Sequence, residues 1–418
     1  MLDLPLTFLR QLEAEGEVDK EALTCRPAQC ARRLMWKVDG RFVVAQPGSV
    51  RMRAADAPGS PGRRGSTDEI RIGFVPLIDA APVISAHELG YFKDEGLDVS
   101  LHQQIGWGNV RDKLIYGQLH AGHTLFGMPP ASVLRRERYP EPLVSLMALG
   151  TGGDMITLSW SLIGAGVDSP ASLARWLRSR PRDKPPTLGH VFSCSVHHYL
   201  LREWLDSGGV DPDRDVRLCV LPPPQMPGHV TGGYLDGYCA GEPWNTVVAV
   251  HGSGKIVAIT TDIVPAHPDK VLAVRRRWLD AHPQAAAALV RAVLRACAFC
   301  SDPAQYLRLS EMLSRPEYIG VAPALILKGL SAGEKVRSCA PETTFPSVTH
   351  AAWLVGQMVR WGHVSGDTDV NLVARRSIAS EAYRSAAAQI GVECPLNDAP
   401  PMRLHNGWFN LQQKAGTG

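Results

Sequence analysis

Alternating strand and helix patterns constrain the fold of this chain more than any other feature of its sequence. From residue 69 to about residue 260, short apolar runs such as Ile-Arg-Ile-Gly-Phe (70–74) alternate with segments whose apolar residues recur at helical spacing. Strands joined through helices pair in parallel and are covered by helices on both faces. The pattern therefore predicts an α/β fold with mostly parallel sheets, followed by a mostly helical region beyond residue 275.

Composition narrows the functional class. The 418 residues include 44 Lys and Arg against 41 Asp and Glu, a balance too even to favour direct nucleic-acid binding. No apolar stretch approaches the 18 or more residues that cross a bilayer, so we expect no membrane span. The nine cysteines are scattered and odd in number, and the N-terminus lacks a basic region followed by an apolar core. These features predict a cytoplasmic protein.

The first 68 residues differ from the rest. Residues 46–68 are rich in Gly, Pro, Ser and Arg and have no periodicity, which is typical of a linker. Before them, Leu4, Leu9 and Leu12 fit a short amphipathic helix, and residues 41–45 fit one strand. We predict an N-terminal extension, residues 1–68, whose function the sequence does not indicate.

Motifs for catalysis and cofactors are weak. The segment His-Gly-Ser-Gly-Lys-Ile-Val (251–257) lacks the spacing and the Ser or Thr of a nucleotide-binding loop. Cys297 and Cys300 have CxxC spacing inside a helical pattern, without a second pair that would complete a zinc site. His197 and His198 are adjacent, so on a helix they point about 100° apart. We predict that the chain is not an enzyme and has no cofactor and no metal.

Several segments resemble, in order, the nitrate- and bicarbonate-binding branch of the ABC-transporter solute-receptor superfamily. The more specific of them are Gly-Trp-Gly-Asn-Val-Arg-Asp (106–112) and Gly-Glu-Pro-Trp-Asn (241–245). Others are Ile-Gly-Phe-Val-Pro-Leu-Ile-Asp-Ala-Ala-Pro (72–82), Gly-Tyr-Phe-Lys-Asp-Glu-Gly-Leu-Asp-Val (90–99), Gly-Met-Pro-Pro (127–130), Asp-Ile-Val-Pro-Ala-His-Pro (262–268) and Phe-Pro-Ser-Val-Thr-His (345–350). The resemblance covers residues 70–365.

The resemblance implies a two-lobe, type II periplasmic-binding-protein-like fold. We predict that residues 69–159 and 265–418 form lobe I with extra C-terminal helices, and that residues 160–264 form lobe II. Because no leader is apparent, the chain is most similar to the cytoplasmic NasS type of this family. That similarity implies a sensor of nitrate or nitrite whose partner is a NasT-like RNA-binding antiterminator protein.

A planar monoanion needs N–H donors and a flat face, which Trp107, Gly108 and Asn109 provide just before a helix that Asn109 is predicted to cap. Asp79 follows the first strand, where ligands of α/β sheets bind, although a helix cap is its more ordinary role. Arg111 and Asp112 fit a local ion pair. The predicted ligand-binding set is Asp79, Trp107, Gly153, Asp154, Ser195, His197, Trp244, Thr260 and Thr261.

Three departures from the family bear on the ligand. Asp154 stands where transport receptors carry a neutral amide, and a carboxylate about 4 Å from nitrate would repel it by roughly 4 kcal/mol at an effective dielectric constant of 20. Asp154 therefore points away, is neutralised by a neighbour such as His197, or binds another ligand. Residues 192–197 replace a glycine-rich loop, and no lysine is evident near Thr260–Asp262.

Two alternatives to the sensor stay open. One is an ABC-transporter solute-binding protein for nitrate, bicarbonate or a related small anion, whose leader is missing from the sequence. The other is an enzyme on the same fold, similar to a pyrimidine synthase of the thiamine pathway. Cys194, His197 and His198 are the residues that keep the enzyme in consideration.

Overall fold

A computed structural model describes residues 34–38, 41–45, 69–134, 141–181, 184–265, 267–331, 337–404 and 407–409. The chain divides into two compact units between Ser66 and Thr67. The predicted N-terminal helix through Leu4, Leu9 and Leu12 and the predicted linker at 46–68 lie outside the described residues.

The first unit contains a β-hairpin. Strands β1 (Leu34–Val38) and β2 (Arg41–Ala45) pair antiparallel, with Leu34 opposite Ala45 and Val38 opposite Arg41. The sequence predicted β2 but not β1. The intervening dipeptide is Asp-Gly, which is a strong short-range hairpin signal that the strand prediction overlooked.

Two five-stranded sheets organise the second unit, and each defines one lobe. The lobe I sheet has the strand order β4-β3-β5-β13-β6, and the lobe II sheet has the order β10-β9-β11-β8-β12. The strands of this unit are β3 (Ile70–Phe74), β4 (Val99–Gln103), β5 (Ala121–Leu125), β6 (Leu143–Ala148), β7 (Thr151–Gly152), β8 (Asp154–Ser159), β9 (Thr187–His190), β10 (Arg217–Val220), β11 (Gly237–Gly241), β12 (Gly254–Ile259), β13 (Lys270–Arg275), β14 (Arg337–Ser338), β15 (Met402–Leu404) and β16 (Gly407–Phe409).

Helices cover both sheets, and up to residue 250 most of them begin shortly after a strand ends. They are α1 (Ala81–Glu88), α2 (Tyr91–Asp94), α3 (Trp107–Ile115), α4 (Met128–Leu134), α5 (Trp160–Gly164), α6 (Pro170–Arg178), α7 (Val196–Ser207), α8 (Met226–Thr231), α9 (Trp244–Val250), α10 (Arg276–Ala281), α11 (Pro283–Ser301), α12 (Tyr306–Leu313), α13 (Pro323–Leu330), α14 (Val348–Arg360), α15 (Val370–Ser377) and α16 (Ser380–Gln389). Single 3-10 turns include Ile78–Ala80 and Thr260–Asp262.

The sheets are mixed rather than mostly parallel. Strand β13 runs antiparallel to β5 and β6, and β8 runs antiparallel to β11 and β12. Both strands start where the chain enters a sheet from the other lobe, so they run opposite to the strands that helices connect within that lobe. The sequence analysis missed β13 altogether.

The chain crosses between the lobes twice, and the first crossing lies earlier than predicted. Strand β8 belongs to the lobe II sheet, so the chain leaves lobe I at residues 149–153 rather than near Ser159. Three glycines of this first crossing have positive φ, namely Gly150 (141°), Gly152 (66°) and Gly153 (99°). The second crossing occupies residues 260–269, close to the predicted Pro265.

The C-terminal helices pack on lobe I, and one of them also reaches lobe II. Helix α11 lies against α1 and α16, and α15 lies against α4. Arg360, the last residue of α14, forms ion pairs with Glu203 and Asp206 of lobe II. Helix α14 therefore links the two lobes outside the chain crossings.

Helix α11 is the longest helix among the described residues. By length and composition it is apolar enough to cross a membrane, but 61% of its apolar stretch is buried inside the protein. Its buried residues include Leu289, Val293 and Cys297, which belong to the core of lobe I. Its apolar face is thus already covered by protein, as in a core helix.

Candidate functional site

Charged side chains that few folds would bury meet between the two lobes. Asp79, Asp154, Asp269, Lys270 and His197 are each at most 5% exposed, and we call these five residues the cleft cluster. Each stands at a strand end or a helix start that faces the other lobe. In open α/β sheets this edge is where ligands bind.

Local structure places the lobe I members. Asp79 lies in the turn directly after β3, and it forms no helix cap, contrary to its more ordinary predicted role. Because β13 runs antiparallel to β5, its first residue, Lys270, lies at the edge where β5 ends. The same reversal explains Asp154 in lobe II, since β8 pairs antiparallel with β11 and brings Asp154 opposite Gly241.

Lys270 is the centre of the cleft cluster. Its Nζ lies 3.0 Å from Asp79 Oδ2 and 3.7 Å from Asp154 Oδ1, and it contacts Asp269 Oδ2 directly. Burial disfavours its charge, but Asp269, Asp79 and Asp154 outweigh burial and raise the pKa of Lys270. Lys270 is therefore a buried, permanently charged ammonium group.

His197 joins the two carboxyl groups nearest the lobe seam. Its Nε2 lies 2.7 Å from Asp154 Oδ1, and its Nδ1 lies 3.5 Å from Asp269 Oδ1. Burial lowers the pKa of His197 to about 3, so the imidazole is neutral near pH 7. Asp154 therefore gains a polar neighbour in His197 but no compensating charge from it.

The two aspartates of this group are weak acids in the folded protein. Burial raises the pKa of Asp154 to about 7, with Lys270 opposing the rise and Asp79 adding to it. Burial, followed by the charge of Asp154, raises the pKa of Asp269 to about 8. Two carboxyl groups in one dry site do not both ionise readily.

Polar atoms of the cleft cluster remain without hydrogen bonds among the described residues. They include both oxygens of Asp154, both ring nitrogens of His197, Asp269 Oδ1 and Asp79 Oδ2. Their neighbours lie at ion-pair distance but are not aligned for a hydrogen bond. Buried polar groups of folded proteins are nearly always paired, so this concentration of exceptions marks a place where something else binds.

Two aromatic side chains add unpartnered donors beside the lysine. Trp107 begins α3, is 1% exposed, and holds its ring face 5.7 Å from Lys270 Nζ. Its Nε1 makes no hydrogen bond among the described residues, and neither does Nε2 of His123, whose ring lies 5.2 Å away. The backbone N–H of Val75 donates to His123 Nδ1 at 3.5 Å, which leaves the ring proton on Nε2.

Gly241 lies directly against two of the aspartates. A Cβ at this position would lie 2.8 Å from Asp79 Oδ2 and 3.5 Å from Asp154 Oδ1. A side chain at this position would clash with the aspartates. Glycine therefore allows the backbone of β11 to lie close to them.

The remaining predicted ligand residues have structural partners. Ser195 caps α7, accepting from the His198 N–H at 3.1 Å and donating to the Phe192 carbonyl at 2.7 Å. Thr260 donates to the Asp154 carbonyl at 2.8 Å. Trp244 lies at the lobe seam, where its Nε1 donates to the Pro76 carbonyl at 2.9 Å.

Gly153 and Thr261 complete the predicted set, and Asn109 corrects a prediction. Gly153 lies in the first crossing, and Thr261 Oγ1 is buried without a hydrogen bond among the described residues. Helix α3 begins at Trp107 with Gly106 as its N-cap, so Asn109 lies inside the first turn and caps nothing. Arg111 and Asp112 form the expected local ion pair at 2.7 Å.

Lys270, Asp269 and His123 are functional candidates that the sequence analysis missed. It found no lysine near Thr260–Asp262, but Lys270 stands eight residues further on, at the start of the unpredicted strand β13. The signal was the charged pair Asp269–Lys270 immediately before the apolar run Val-Leu-Ala-Val. Charges that head a fully buried strand lie at an edge where they are either solvated or bound.

Three residues of the cleft cluster bring possible metal-ligand atoms close together. One atom each of Asp154, His197 and Asp269 lies within 4.8 Å of the others, which would suit a divalent cation. However, the ammonium of Lys270 already contacts Asp269 and lies 3.7 Å from Asp154, so a second cation would be repelled. We therefore assign the positive charge of this site to Lys270.

Adjacent His198 faces a different group. His198 Nδ1 lies 3.1 Å from His190 Nε2, and Arg202 Nε donates to His198 Nε2 at 3.0 Å. Arg202 also pairs with both oxygens of Asp213. We call His190, His198, Arg202 and Asp213 the histidine chain. Cys194 and His198 line one cavity, whereas His197 belongs to the cleft cluster.

Comparisons with known proteins agree with this architecture. The sequence profile of the NMT1-like family matches residues 64–314. The nitrate/nitrite binding protein NrtA of Synechococcus elongatus is 31% identical over 355 residues, covering 79% of this chain and 80% of that protein. The crystal structure of the periplasmic nitrate-binding protein NrtA from Synechocystis PCC 6803 aligns with a TM-score of 0.76 at 25% identity, covering 82% of this chain and 95% of that one.

Longer proteins match as well. The nitrate import ATP-binding protein NrtC of Synechocystis is 35% identical over 308 residues, covering 70% of this chain and 46% of that protein. The chain thus spans about half the length of this relative. The predicted periplasmic-binding-protein-like α/β fold and the predicted family resemblance are both confirmed.

Proposed function

Because the chain belongs to the NMT1-like family, and to the branch of solute-binding proteins that contains NrtA, we propose that it binds a small oxyanion between its two lobes. The observation that carries this proposal is the buried ammonium of Lys270 beside the unpartnered N–H groups of Trp107 and His123. A charged donor and two neutral donors that are buried close together suit an anion that offers several acceptors. The ring of Trp107 supplies a flat face for a planar ion.

The finer proposal is a cytoplasmic sensor of nitrate or nitrite. Ligand-dependent closure of the lobes would change the surface offered to a NasT-like RNA-binding antiterminator and so regulate nitrate assimilation. Two features support a change of this kind: the seam bond from Trp244 to Pro76, and the ion pairs of Arg360 with lobe II. The scattered, odd-numbered cysteines support a reducing compartment.

The second candidate is an ABC-transporter solute-binding protein for bicarbonate or a related anion. The unpartnered oxygens of Asp154 favour it, because hydrogencarbonate has an O–H group to donate whereas nitrate has only acceptors. The same cleft would serve either role. That the chain is not an enzyme stays a prediction.

Calorimetry with nitrate, nitrite, hydrogencarbonate and methanesulfonate tests the binding proposal. We expect Lys270→Met to weaken oxyanion binding by about 100-fold or more, because the charged hydrogen bond is lost in a dry site. Trp107→Ala should weaken it by about tenfold. Lys255→Met, which removes an exposed lysine of β12, is the matched control and should bind as the unaltered protein does.

Circular dichroism must show that both cleft variants are folded. Binding that persists in folded Lys270→Met would contradict the proposed site. The sensor is tested separately by gel filtration of the protein with a NasT-like antiterminator. Nitrate should dissociate the complex. A complex that nitrate does not dissociate would contradict the sensor and favour the transport role.

A further inference from the structure

The cleft cluster holds more carboxylate than its lysine neutralises. Asp79, Asp154 and Asp269 all lie around one ammonium group, and His197 is neutral. Fully ionised, the cluster would carry a net charge of minus two, and a bound nitrate would make it minus three. A buried site cannot accumulate charge in this way without taking up compensating protons.

Geometry identifies where a proton would reside. Asp154 and Asp269 flank His197 on either side, at 2.7 Å and 3.5 Å, and each also approaches Lys270. Asp154 is 0% exposed, and neither of its oxygens has a hydrogen bond among the described residues. Asp79 and Asp269 both have Lys270 as a counter-ion, but among the described residues only Asp154 and Asp269 form ion-pair contacts with His197.

We propose that the cleft binds a small oxyanion together with one proton, and that the Asp154–Asp269 pair holds this proton. This inference rests on the proposed function. A protonated carboxyl group donates a hydrogen bond to the bound anion, whereas an ionised one repels it. Nitrate and hydrogencarbonate each carry one negative charge, so either anion requires the same proton, and the net charge of the cleft does not change on binding.

The acidities of the pair agree with this assignment. Burial raises the pKa of Asp154 to about 7 and that of Asp269 to about 8, so the pair exchanges protons near neutral pH. An added anion raises both values further, because a second negative charge disfavours ionisation. Below about pH 6 the pair is already protonated, and above about pH 8 it must gain a proton when nitrate binds.

Other titratable groups lie near the pair and are considered in the test. From the packed elements these are Asp79 after β3, His123 on β5, His197 on α7, Cys239 on β11, Glu242 after β11, and His267 and Lys270 in and after the second crossing. The pKa values of the histidines are lowered and those of Cys239 and Lys270 are raised, so these groups keep one protonation state near pH 7. Glu242 is the exception, since burial raises its pKa to about 7.

The test counts protons directly. Nitrate or hydrogencarbonate is added to the full-length protein in weakly buffered solution, and a pH-stat records the acid required to hold the pH. At about pH 8.5 we expect uptake approaching one proton per bound anion, for nitrate and for hydrogencarbonate alike. At about pH 6 nitrate should bind without uptake, and its affinity should fall by about tenfold per pH unit above about pH 8.

Three variants assign the proton. Asp154→Asn, which keeps the size of the side chain, should abolish the uptake and make nitrate affinity independent of pH. Glu242→Gln should retain the uptake, as should Asp94→Asn, which alters an exposed carboxylate of α2. If Asp154→Asn does not fold, the dependence of proton uptake and nitrate affinity on pH in the unaltered protein decides the question alone.

Each result is decisive. Nitrate binding without proton uptake at about pH 8.5, or uptake that disappears in Glu242→Gln, would overturn this inference and leave the proposed function intact. If neither anion binds, both the proposed function and the inference fail.

Discussion

The cleft cluster and the histidine chain include adjacent residues of α7 and differ in how their polar atoms are paired. His197 and His198 are neighbours in α7 and point in different directions. Around His198, each ring nitrogen and each carboxylate oxygen of Asp213 has a partner. Around His197, neither ring nitrogen has a hydrogen bond among the described residues. A complete network stabilises the fold, whereas an incomplete one among fully buried side chains indicates a place for a ligand.

The largest expected effect is a loss of stability when a member of the histidine chain is removed. Arg202→Met should lower the free energy of unfolding by about 3 kcal/mol, because His198 and Asp213 lose a charged donor. Oxyanion affinity should change by less than about twofold. Urea denaturation and calorimetry measure the two quantities.

The matched control is Arg214→Met. Arg214 is 85% exposed and lies 3.6 Å from Asp211, so its loss should cost less than about 0.5 kcal/mol. If Arg202→Met left stability unchanged but removed oxyanion binding, the assignment of the two networks would be reversed.

The next effect in size is the dependence of stability on pH that Asp154 of the cleft cluster causes. The folded-state pKa of Asp154, about 7, lies above its ordinary value of 3.8. Its contribution to stability is therefore fully present below about pH 4 and is lost as pH rises through about 7. Asp154→Asn lacks this loss, so the variant should gain roughly 2 kcal/mol relative to the unaltered protein between about pH 4 and pH 8.

Thermal denaturation across this range measures the difference. The buried histidines, whose pKa values are lowered, lose stability in the opposite direction as pH falls below about 6.5. That loss is common to both proteins and cancels in the comparison. Parallel curves for the two proteins would show that Asp154 stays ionised.

The smallest expected effect distinguishes a helix cap from a ligand contact. Ser195→Ala should cost about 1 kcal/mol of stability, because the His198 N–H loses its acceptor. Nitrate affinity should stay within about twofold. A loss of affinity larger than tenfold, without loss of stability, would return Ser195 to the ligand-binding set.

The sequence predicted the parts of the site that local patterns determine. Trp107 and Asp79 stand after apolar strands and before helices, and His197 opens a helix, so their placement at the cleft edge follows from strand–helix alternation. The same patterns predict strands at 69–78, 97–105 and 255–260, and the structure has them at Ile70–Phe74, Val99–Gln103 and Gly254–Ile259. A further predicted strand, ending at residue 162, stops at Ser159, where α5 begins.

Lys270 and Asp269 could not be found in this way. Strand β13 enters its sheet from the other lobe, and its register against β5 and β6 is set by residues more than a hundred positions earlier. Local pattern at Asp-Lys-Val-Leu-Ala-Val indicates a charged surface position rather than a buried ammonium. Only the long-range pairing of β13, and the closure of lobe II over it, shows that this charge faces three carboxyl groups.

The glycines of the first crossing restrict the substitutions that this crossing can accept. Gly150, Gly152 and Gly153 adopt backbone angles that side-chain-bearing residues rarely reach, and a Cβ on Gly150 would lie 2.5 Å from the Ser338 carbonyl oxygen. Few substitutions are therefore acceptable at these three positions of the first crossing. The second crossing, residues 260–269, contains no glycine, so we expect substitutions that alter the hinge to be accepted there more readily than in the first crossing.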